Sequence, residues 1–445
     1  MSRPASVPRG GVDVSFVERR FAVAARGSTL RGEALAGVTT FLAMAYISVV
    51  NPAILSEAGM DFGAVFVATC LAAAAGSALM GLVGNLPVAL APGMGQNAFF
   101  TYTIVLGAGH SFETALGAVF LSGIIFLGLS VLPVREWLVN AIPKNLKLGI
   151  SAGVGLFLGF IALQNAGIVV DNPATLVALG DLGRGAPLIA LVGFMVIVGM
   201  TARRFVGAVI VGMLAASALG WATGVAEFNG LVSLPPSPLP VLLALDIAGA
   251  CQYSMLTVIL TLLLVDVFDT AGTIIGVGMR AGFIDEDGRV RGLKGALLAD
   301  SGATVLGALF GTSSTTSYIE SATGVEAGGR TGLTALTVAA MFLLCLFFAP
   351  LAQSVPTYAS ASALLFVACL MARGLADLDW DDATEAAPAV VMAIAMPLAY
   401  SIADGIGIGF ITYVAVKFAS GRPGQCPPAV YLVALIFAAK FVFIS

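Results

Sequence analysis

Apolar segments long enough to cross a lipid bilayer follow one another along almost the whole sequence, from residue 33 to residue 418, with short polar joints between them. A membrane-spanning helix needs about 20 mostly apolar residues, because the hydrocarbon core is about 30 Å thick. Composition agrees, since 59% of the 445 residues are hydrophobic, 10% are charged and the mean hydropathy is +1.00. The sequence therefore predicts an all-α polytopic membrane protein without a large soluble domain.

The apolar segments form two sets of seven. The first half predicts spans at 33–57, 64–83, 86–108, 113–133, 146–166, 187–201 and 206–223. The second half predicts spans at 252–278, 294–310, 311–327, 331–351, 357–373, 385–400 and 402–418. Two sets with an odd number of spans run in opposite directions across the bilayer, which predicts fourteen spans arranged as two inverted seven-span repeats. A further apolar run, 428–444, either spans the membrane or lies in its interface.

The remaining organisation is simple. Residues 1–30 contain five arginines and no apolar core of their own, so we expect a cytoplasmic tail rather than a cleaved signal peptide. Lys and Arg recur in the joints that the span count assigns to the cytoplasm, as the positive-inside rule requires. Residues 31–445 are expected to form a single membrane domain, with the N-terminus in the cytoplasm.

Cysteine and histidine usage argues against several classes of site. The five cysteines are dispersed and contain no CxxC pair, and His110 is the only histidine. A thiolate metal site, a multi-histidine metal site and a Ser-His-Asp triad therefore have no basis in this chain. We expect no metal, no cofactor, no enzymatic activity and no binding of nucleic acid.

The third segment of each half is polar where a lipid-facing helix would be apolar. The sequences are "GNLPVALAPGMGQNAFFTYTIV" in the first half and "GTSSTTSYIESATGVEAGG" in the second. Irregular backbone at membrane depth is tolerated only where it is buried in protein or lines a cavity. Interrupted segments at corresponding positions of two halves are the sequence feature that best indicates a transporter binding site.

Four acidic residues fall within predicted spans: Asp266, Asp269, Asp300 and Glu320. An intramembrane carboxylate costs about 2.5–3.5 kcal/mol at a helix centre, so four of them require an explanation. One explanation is a proton-coupled site whose carboxylates accept hydrogen bonds from a ligand. The other is that hydroxyl and backbone groups satisfy each acid and the acids only stiffen the bundle. The convergence of four acids near two broken segments favours the functional explanation. The acids at 326 and 404 lie nearer segment ends, where a solvated or structural role is expected.

Three uncharged residues are candidates for the same site. Asn97, in "GMGQNAFF", can donate and accept hydrogen bonds at once, although a buried asparagine is often a structural clip. Phe99 and Phe268 can stack on a planar ligand, although a phenylalanine in a membrane helix more often packs in the core or faces lipid.

Several blocks together resemble the AzgA-like purine permeases of the nucleobase:cation symporter-2, or nucleobase–ascorbate transporter, superfamily. They are "TTFLAMAYISVVNPAIL", "APGMGQNAFF", "IPKNLKLGISAGVGLFLGFI", "VDVFDTAGTIIGV", "LLADSGATVLGALFGTSSTTSYIESATGVEAGGRTGLTAL" and "SIADGIGIGFITYVAVK". The resemblance implies a uracil-transporter-like fold with short strands in spans three and ten. It also implies a core of about 31–140 and 250–352, a gate of about 141–249 and 353–445, and a homodimer formed through the gate.

The resemblance further implies proton-coupled import of hypoxanthine, guanine or adenine across the inner membrane, by an elevator or rocking motion of the core against the gate. It places substrate contacts on Asn97, Asp266 and Glu320, and a proton-linked role on Asp269. Asp266 and Asp269 lie one helical turn apart, and which of the two contacts substrate stays open. Asp300 is implied to support the site.

Other functions remain alternatives. An anion transporter of the same fold would need basic groups or helix N-termini at its site, and the sequence shows no Lys or Arg buried with the acids. A cation channel could use four acids but has no need of inverted broken segments. An intramembrane aspartyl protease would need two acids sharing a proton, which leaves the second acid of span eight without a role.

Overall fold

A computed structural model describes residues 14–131, 142–183, 185–283 and 292–443, and these are mostly helical. The helices of the first half are α1 Val14–Phe21, α2 Leu30–Met44, α3 Ile47–Glu57, α4 Phe62–Leu79, α5 Met94–Ala98, α6 Phe112–Val131, α7 Lys144–Asn165, α8 Gly185–Ala202 and α9 Ala208–Ala222. The helices of the second half are α10 Ile247–Ala250, α11 Leu256–Ala281, α12 Leu293–Phe310, α13 Ser321–Glu326, α14 Gly332–Cys345, α15 Ala349–Gln353, α16 Thr357–Ala372, α17 Ala383–Leu398, α18 Ile402–Ala419 and α19 Pro428–Phe443. The strands are β1 Leu90–Pro92, β2 Val169–Asn172, β3 Leu176–Leu179 and β4 Thr315–Ser317.

The described residues contain ten helical segments long and apolar enough to cross a membrane. The four other predicted spans take different forms. Two are the shorter apolar helices α9 and α17, and two are broken segments around β1 and β4. The predicted polytopic helical architecture is thus present, and the count of fourteen spans stays a prediction.

The two broken segments meet as an antiparallel pair of strands. Leu90 lies opposite Ser317, and Pro92 lies opposite Thr315. The pairing continues past the strand ends, because the backbone N–H of Gly93 donates to the Ser314 carbonyl at 2.9 Å. Each strand therefore supplies backbone partners that the other needs at membrane depth. Short strands in predicted spans three and ten were expected from the resemblance, and the structure contains them.

The helices pack in two groups. One group consists of α2–α6 with α11–α14, where α12 packs on α4 and α6, and α14 packs on α2 and α4. The other consists of α7–α9 with α16–α19, where α7 packs on α16 and α17. The helix α19, from the leftover apolar run, packs mainly on α18 and also touches α11.

A buried glutamate ties the two halves of the first group together. The Glu33 side chain, near the start of α2, is fully buried. It accepts hydrogen bonds from the backbone N–H groups of Arg330 and Thr331 at 2.9 and 3.2 Å, and from the Thr334 hydroxyl at 2.6 Å. An anion at the N-terminus of α14 satisfies exposed N–H groups and the helix dipole.

Two features add to the predicted organisation. The stretch predicted as a tail includes helix α1, and the Arg26 guanidinium, shortly after it, donates to the carbonyls of Asn85 at 2.7 Å and Arg330 at 3.1 Å. Strands β2 and β3 form an unpredicted hairpin between α7 and α8. Its turn is fixed by the Asn172 side chain, which accepts from the backbone N–H of Ala174 at 2.9 Å.

A close backbone approach gives a test of the packing. A Cβ added at Gly332, the first residue of α14, would lie 2.1 Å from the carbonyl oxygen of Gly81. Gly332→Ala should therefore cost about 1–3 kcal/mol of stability, because backbone has to move. Gly128→Ala, on α6 with no heavy atom within 4 Å of the added Cβ, is the matched control. The measurement is the thermal unfolding midpoint in detergent, and equal midpoints for the two variants would contradict this packing.

Candidate functional site

A cavity of about 700 Å³ lies between the two groups of helices. One wall comes from α5, α11, β4 and the residues just after β4. The opposite wall comes from α7, α16 and the turn that follows α16. The cavity thus sits where both broken segments end, the location that the two polar interruptions in the sequence predicted for a site.

Two of the four predicted acids line this cavity. Asp269 is on α11, and Glu320 directly precedes α13. The Tyr46 hydroxyl, in the break between α2 and α3, donates to Glu320 Oε1 at 2.7 Å. This contact fixes one carboxylate oxygen of Glu320 and leaves the other for a further donor.

The other two acids lie behind strand β4, outside the cavity lining. Asp266 and Asp300 are both fully buried. The Thr304 hydroxyl donates to Asp266 Oδ2 at 2.9 Å, and the Ser317 hydroxyl donates to Asp300 Oδ1 at 3.1 Å. Asp266 Oδ1 and Asp300 Oδ2 have no hydrogen-bond partner among the described residues. The structure therefore divides the four acids into a cavity pair and a pair that supports the strand.

The three predicted uncharged residues differ in whether they line the cavity. Asn97 is fully buried, and its Oδ1 accepts from the Ser313 hydroxyl, so its side chain joins the two broken segments. Phe99 is buried and does not line the cavity. Phe268 does line it. The cavity therefore offers one of the two predicted aromatic rings to a ligand.

Gln96 is a cavity residue that the sequence reasoning missed. It lies on α5 beside Asn97, is 2% exposed and lines the cavity. Neither its Oε1 nor its Nε2 has a hydrogen-bond partner within the described part of the chain. The block "GMGQNAFF" contained both amides, but neither periodicity nor composition shows which of two neighbouring side chains reaches a cavity.

Basic residues also line the cavity. Lys144 and Lys147, in the first turn of α7, and Arg373, at the end of α16, belong to its wall. The Lys147 Nζ lies 5.7 Å from the ring centroid of Phe268. The expectation that no Lys or Arg is buried with the acids holds for these three residues, because Lys144 and Arg373 are exposed and Lys147 is half-buried. Their position at the cavity was not predicted. Lys147 reaches the cavity because α7 packs near helices that are distant in sequence. A sequence divided into spans does not show which spans pack together.

The two groups of helices touch again at the far end of α7. Asn165 ends α7, about 27 Å along the helix axis from Lys147 at 1.5 Å per residue. Its side-chain amide donates to Glu57 Oε1, at the end of α3, at 3.3 Å. The ring centroids of Tyr102 and Tyr400 lie 6.0 Å apart in an edge-to-face contact. These four residues, the far-end contacts, join the two groups of helices at the end of α7 that is distant from Lys147.

The two acids that the sequence placed nearer segment ends each have a basic partner. Asp404 pairs with Lys440 at 2.5 Å, and this pair fastens α19 to α18. Glu326 pairs with Arg280 at 3.1 Å on the surface. Within the described ranges, no group of three or more His, Cys, Asp or Glu side chains is placed to hold a metal ion.

Comparisons with known proteins agree with one another. Residues 31–408 match the Permease family (Xan_ur_permease). The chain is 47% identical over 430 residues to the adenine permease AdeP of Escherichia coli, with 97% of each chain covered. It is 42% identical over 418 residues to the guanine/hypoxanthine permease PbuO of Bacillus subtilis, covering 92% of this chain and 96% of that relative.

A solved structure shares the fold. The transmembrane domain of the cyanobacterial bicarbonate transporter BicA superposes with a TM-score of 0.63 at 17% identity, covering 84% of this chain and 97% of that one. At this identity the likeness concerns the fold alone.

The two predicted aromatic residues provide a test of the cavity wall. In a variant without native cysteines, Phe268→Cys should react with a water-soluble thiol reagent at least tenfold faster than Phe99→Cys, because only residue 268 lines the cavity. Labelling of purified protein in detergent, followed by mass spectrometry, measures both rates. Equal rates, with both variants folded, would show that the cavity does not reach residue 268.

Proposed function

The chain belongs to the Permease family, and from that premise we propose that it is a secondary active importer of purine nucleobases coupled to protons. Its relatives include an adenine permease and a guanine/hypoxanthine permease, each matched over more than nine-tenths of its length. The observation that carries the proposal is the presence of Asp269 and Glu320 in one cavity at the ends of paired strands.

The cavity chemistry suits a purine. A purine offers ring N–H donors, and carboxylate oxygens accept such donors strongly. The ring of Phe268 offers a flat apolar surface in the same wall, and ligand pockets typically combine apolar lining with a few placed polar groups. We assign direct substrate contact to Asp269, Glu320 and Phe268. Asn97, Asp266 and Phe99 support the site from outside the lining, by holding the two broken segments and the cavity wall in place.

Proton coupling follows from the same acids. Two carboxylates in one membrane cavity repel each other when both are ionised. A proton taken up by one of them removes this repulsion, and in this proposal that favours binding of the purine. Asp269 is the proton-linked group in this proposal, because it faces the cavity, whereas one oxygen of Glu320 is already held by the Tyr46 hydroxyl. Asp300, behind β4, supports the strand through Ser317.

Alternating access would come from motion between the two groups of helices. We propose that the group containing the broken segments is the core and the group containing α7 is the gate, moving against each other in an elevator or rocking manner. The cavity is bordered by Lys144 and Arg373, which the positive-inside rule places in the cytoplasm. In this arrangement the structure is open to the cytoplasm and the far-end contacts are closed.

Location and assembly complete the proposal. We place the protein in the inner membrane with its N-terminus in the cytoplasm, and we propose that two copies associate through the gate. The gate helix α8 exposes the apolar side chains Leu188 and Met195, which either lipid or a second copy can cover in the membrane.

An anion transporter on the same fold is the alternative with a specific observation behind it. BicA shares the fold, and Lys147 lies at the cavity. Two carboxylates in the same wall oppose an anionic substrate, and the relatives named above are an adenine permease and a guanine/hypoxanthine permease, so the purine proposal is preferred. A cation channel would require a continuous pore, whereas the far-end contacts join the two groups of helices beyond the cavity.

Uptake measurements test the function. Cells lacking their own permeases and expressing this chain should accumulate radiolabelled adenine, hypoxanthine or guanine but not uracil, and a protonophore should abolish the accumulation. Asp269→Asn and Glu320→Gln should each reduce uptake at least tenfold, because each removes an anionic acceptor from the cavity. Glu326→Gln, at an exposed acid, is the matched control. Purine uptake that survives both cavity substitutions would refute the assigned site.

A cross-link tests the motion. Glu57→Cys and Asn165→Cys, introduced together into a cysteine-free variant, should react with a short bifunctional thiol reagent, since the native side chains are in contact. The cross-link should stop transport by more than 90%, because it joins core to gate at the far end. Each single variant treated in the same way is the control. Full transport by the cross-linked protein would contradict relative motion at this contact.

A further inference from the structure

The side chain of Gln96 is the least satisfied polar group in the cavity wall. It is 2% exposed, and both polar atoms of its amide lack a hydrogen-bond partner among the described residues. Burying an amide without partners is unfavourable, so a position of this kind is expected to receive a partner in the functional state. The other polar side chains of the wall discussed above are the acids Asp269 and Glu320 and the basic side chains of α7 and α16.

The backbone around Gln96 leaves room for this side chain. A Cβ added at Gly93 would lie 2.8 Å from Gln96 Oε1 and 2.7 Å from Thr316 Cγ2. Glycine at 93 thus lets the amide lie between the start of α5 and strand β4. Gln96, Thr316 and Asp269 all belong to the cavity lining, so the amide and the cavity acid border the same space.

The hydrogen-bonding chemistry of an amide differs from that of the acids in a way that matters for purines. An ionised carboxylate only accepts, whereas a glutamine amide presents one acceptor and two donors. The ring N–H on the imidazole side is common to all the purine bases and suits a carboxylate. On the opposite edge, adenine has a donor at position 6 and an acceptor at N1, and hypoxanthine and guanine have the reverse order.

From these observations we propose that Gln96 is a specificity-determining residue that reads the 6-position and N1 edge of the purine. Rotation of the amide by 180° about its last bond exchanges its donor and acceptor, so the same side chain pairs with either order. Gln96 thereby allows one cavity to accept both 6-amino and 6-oxo purines. This inference rests on the proposed function and extends it, since the relatives named above divide between adenine and guanine/hypoxanthine permeases.

A purely structural role for Gln96 makes a different prediction. The Asp266 carboxyl lies close enough to the Gln96 amide to interact with it, and Asp266 Oδ1 is itself without a partner. If Gln96 serves only to hold Asp266, its loss should weaken all purines by the same factor, whatever they carry at position 6.

The test combines variants of the protein with variants of the ligand. Competition against radiolabelled adenine, with purified protein in detergent, gives apparent affinities for adenine, hypoxanthine and unsubstituted purine. In the wild type, adenine and hypoxanthine should both bind more tightly than unsubstituted purine. Gln96→Met keeps the length of the side chain and removes its hydrogen bonds. It should weaken adenine and hypoxanthine about tenfold each, and unsubstituted purine less than threefold.

A second variant and a control complete the test. Gln96→Leu should give the same pattern, and it substitutes for Gln96→Met if the latter does not fold. Glu326→Gln controls for expression and purification. Equal weakening of all three ligands, or no weakening, overturns the role of Gln96 while the transport proposal stands. Absence of purine binding by the folded wild type overturns the proposed function, and this inference with it.

Discussion

The structure depends on the pairing of two short strands at membrane depth. Strands β1 and β4 come from opposite halves of the chain, and each interrupts a segment that a lipid-facing helix would otherwise occupy. An interrupted helix leaves backbone N–H and C=O groups that cannot be satisfied by lipid. Because the strands pair with each other, and Tyr318 donates its hydroxyl to the Pro92 carbonyl at 2.6 Å, both interruptions are satisfied at once. Neither broken segment could persist in the bilayer without the other.

The β1–β4 strand pair also determines where charged side chains can lie. The segments that end at the strands bring Gln96 and Glu320 into one cavity, and α11 adds Asp269. The two acids behind β4 are held by hydroxyl groups rather than by cations, through Thr304 and Ser317. Ser317 belongs to the Ser/Thr-rich stretch that forms β4, and Thr304 belongs to the adjacent helix α12. In the proposed mechanism, a purine base and a proton bind beside this strand pair while the surrounding helices move. Substrate binding and proton coupling therefore depend on the same structural element.

Much of this arrangement could be predicted from the sequence, because it follows from local constraints. The apolar segments, the two polar interruptions and the acids within spans are each visible in a short window, and the resemblance to purine permeases added the strands. Features that depend on side-chain direction or on packing between distant segments were not visible in the sequence. Gln96 was passed over for its neighbour Asn97, and Lys147 was not associated with Phe268, which lies on another helix. The β2–β3 hairpin lies outside the membrane pattern and is fixed by a local Asn172 turn.

The proposed function requires that a purine binds in the cavity beside the β1–β4 strand pair. A structure determined by electron cryomicroscopy in the presence of saturating adenine or hypoxanthine is the decisive measurement. We expect density for a planar base in the cavity beside Phe268, with ring nitrogens within hydrogen-bond distance of the Asp269 and Glu320 carboxylates. Density for the base elsewhere in the protein, with this cavity unchanged from the unliganded state, would contradict the claim.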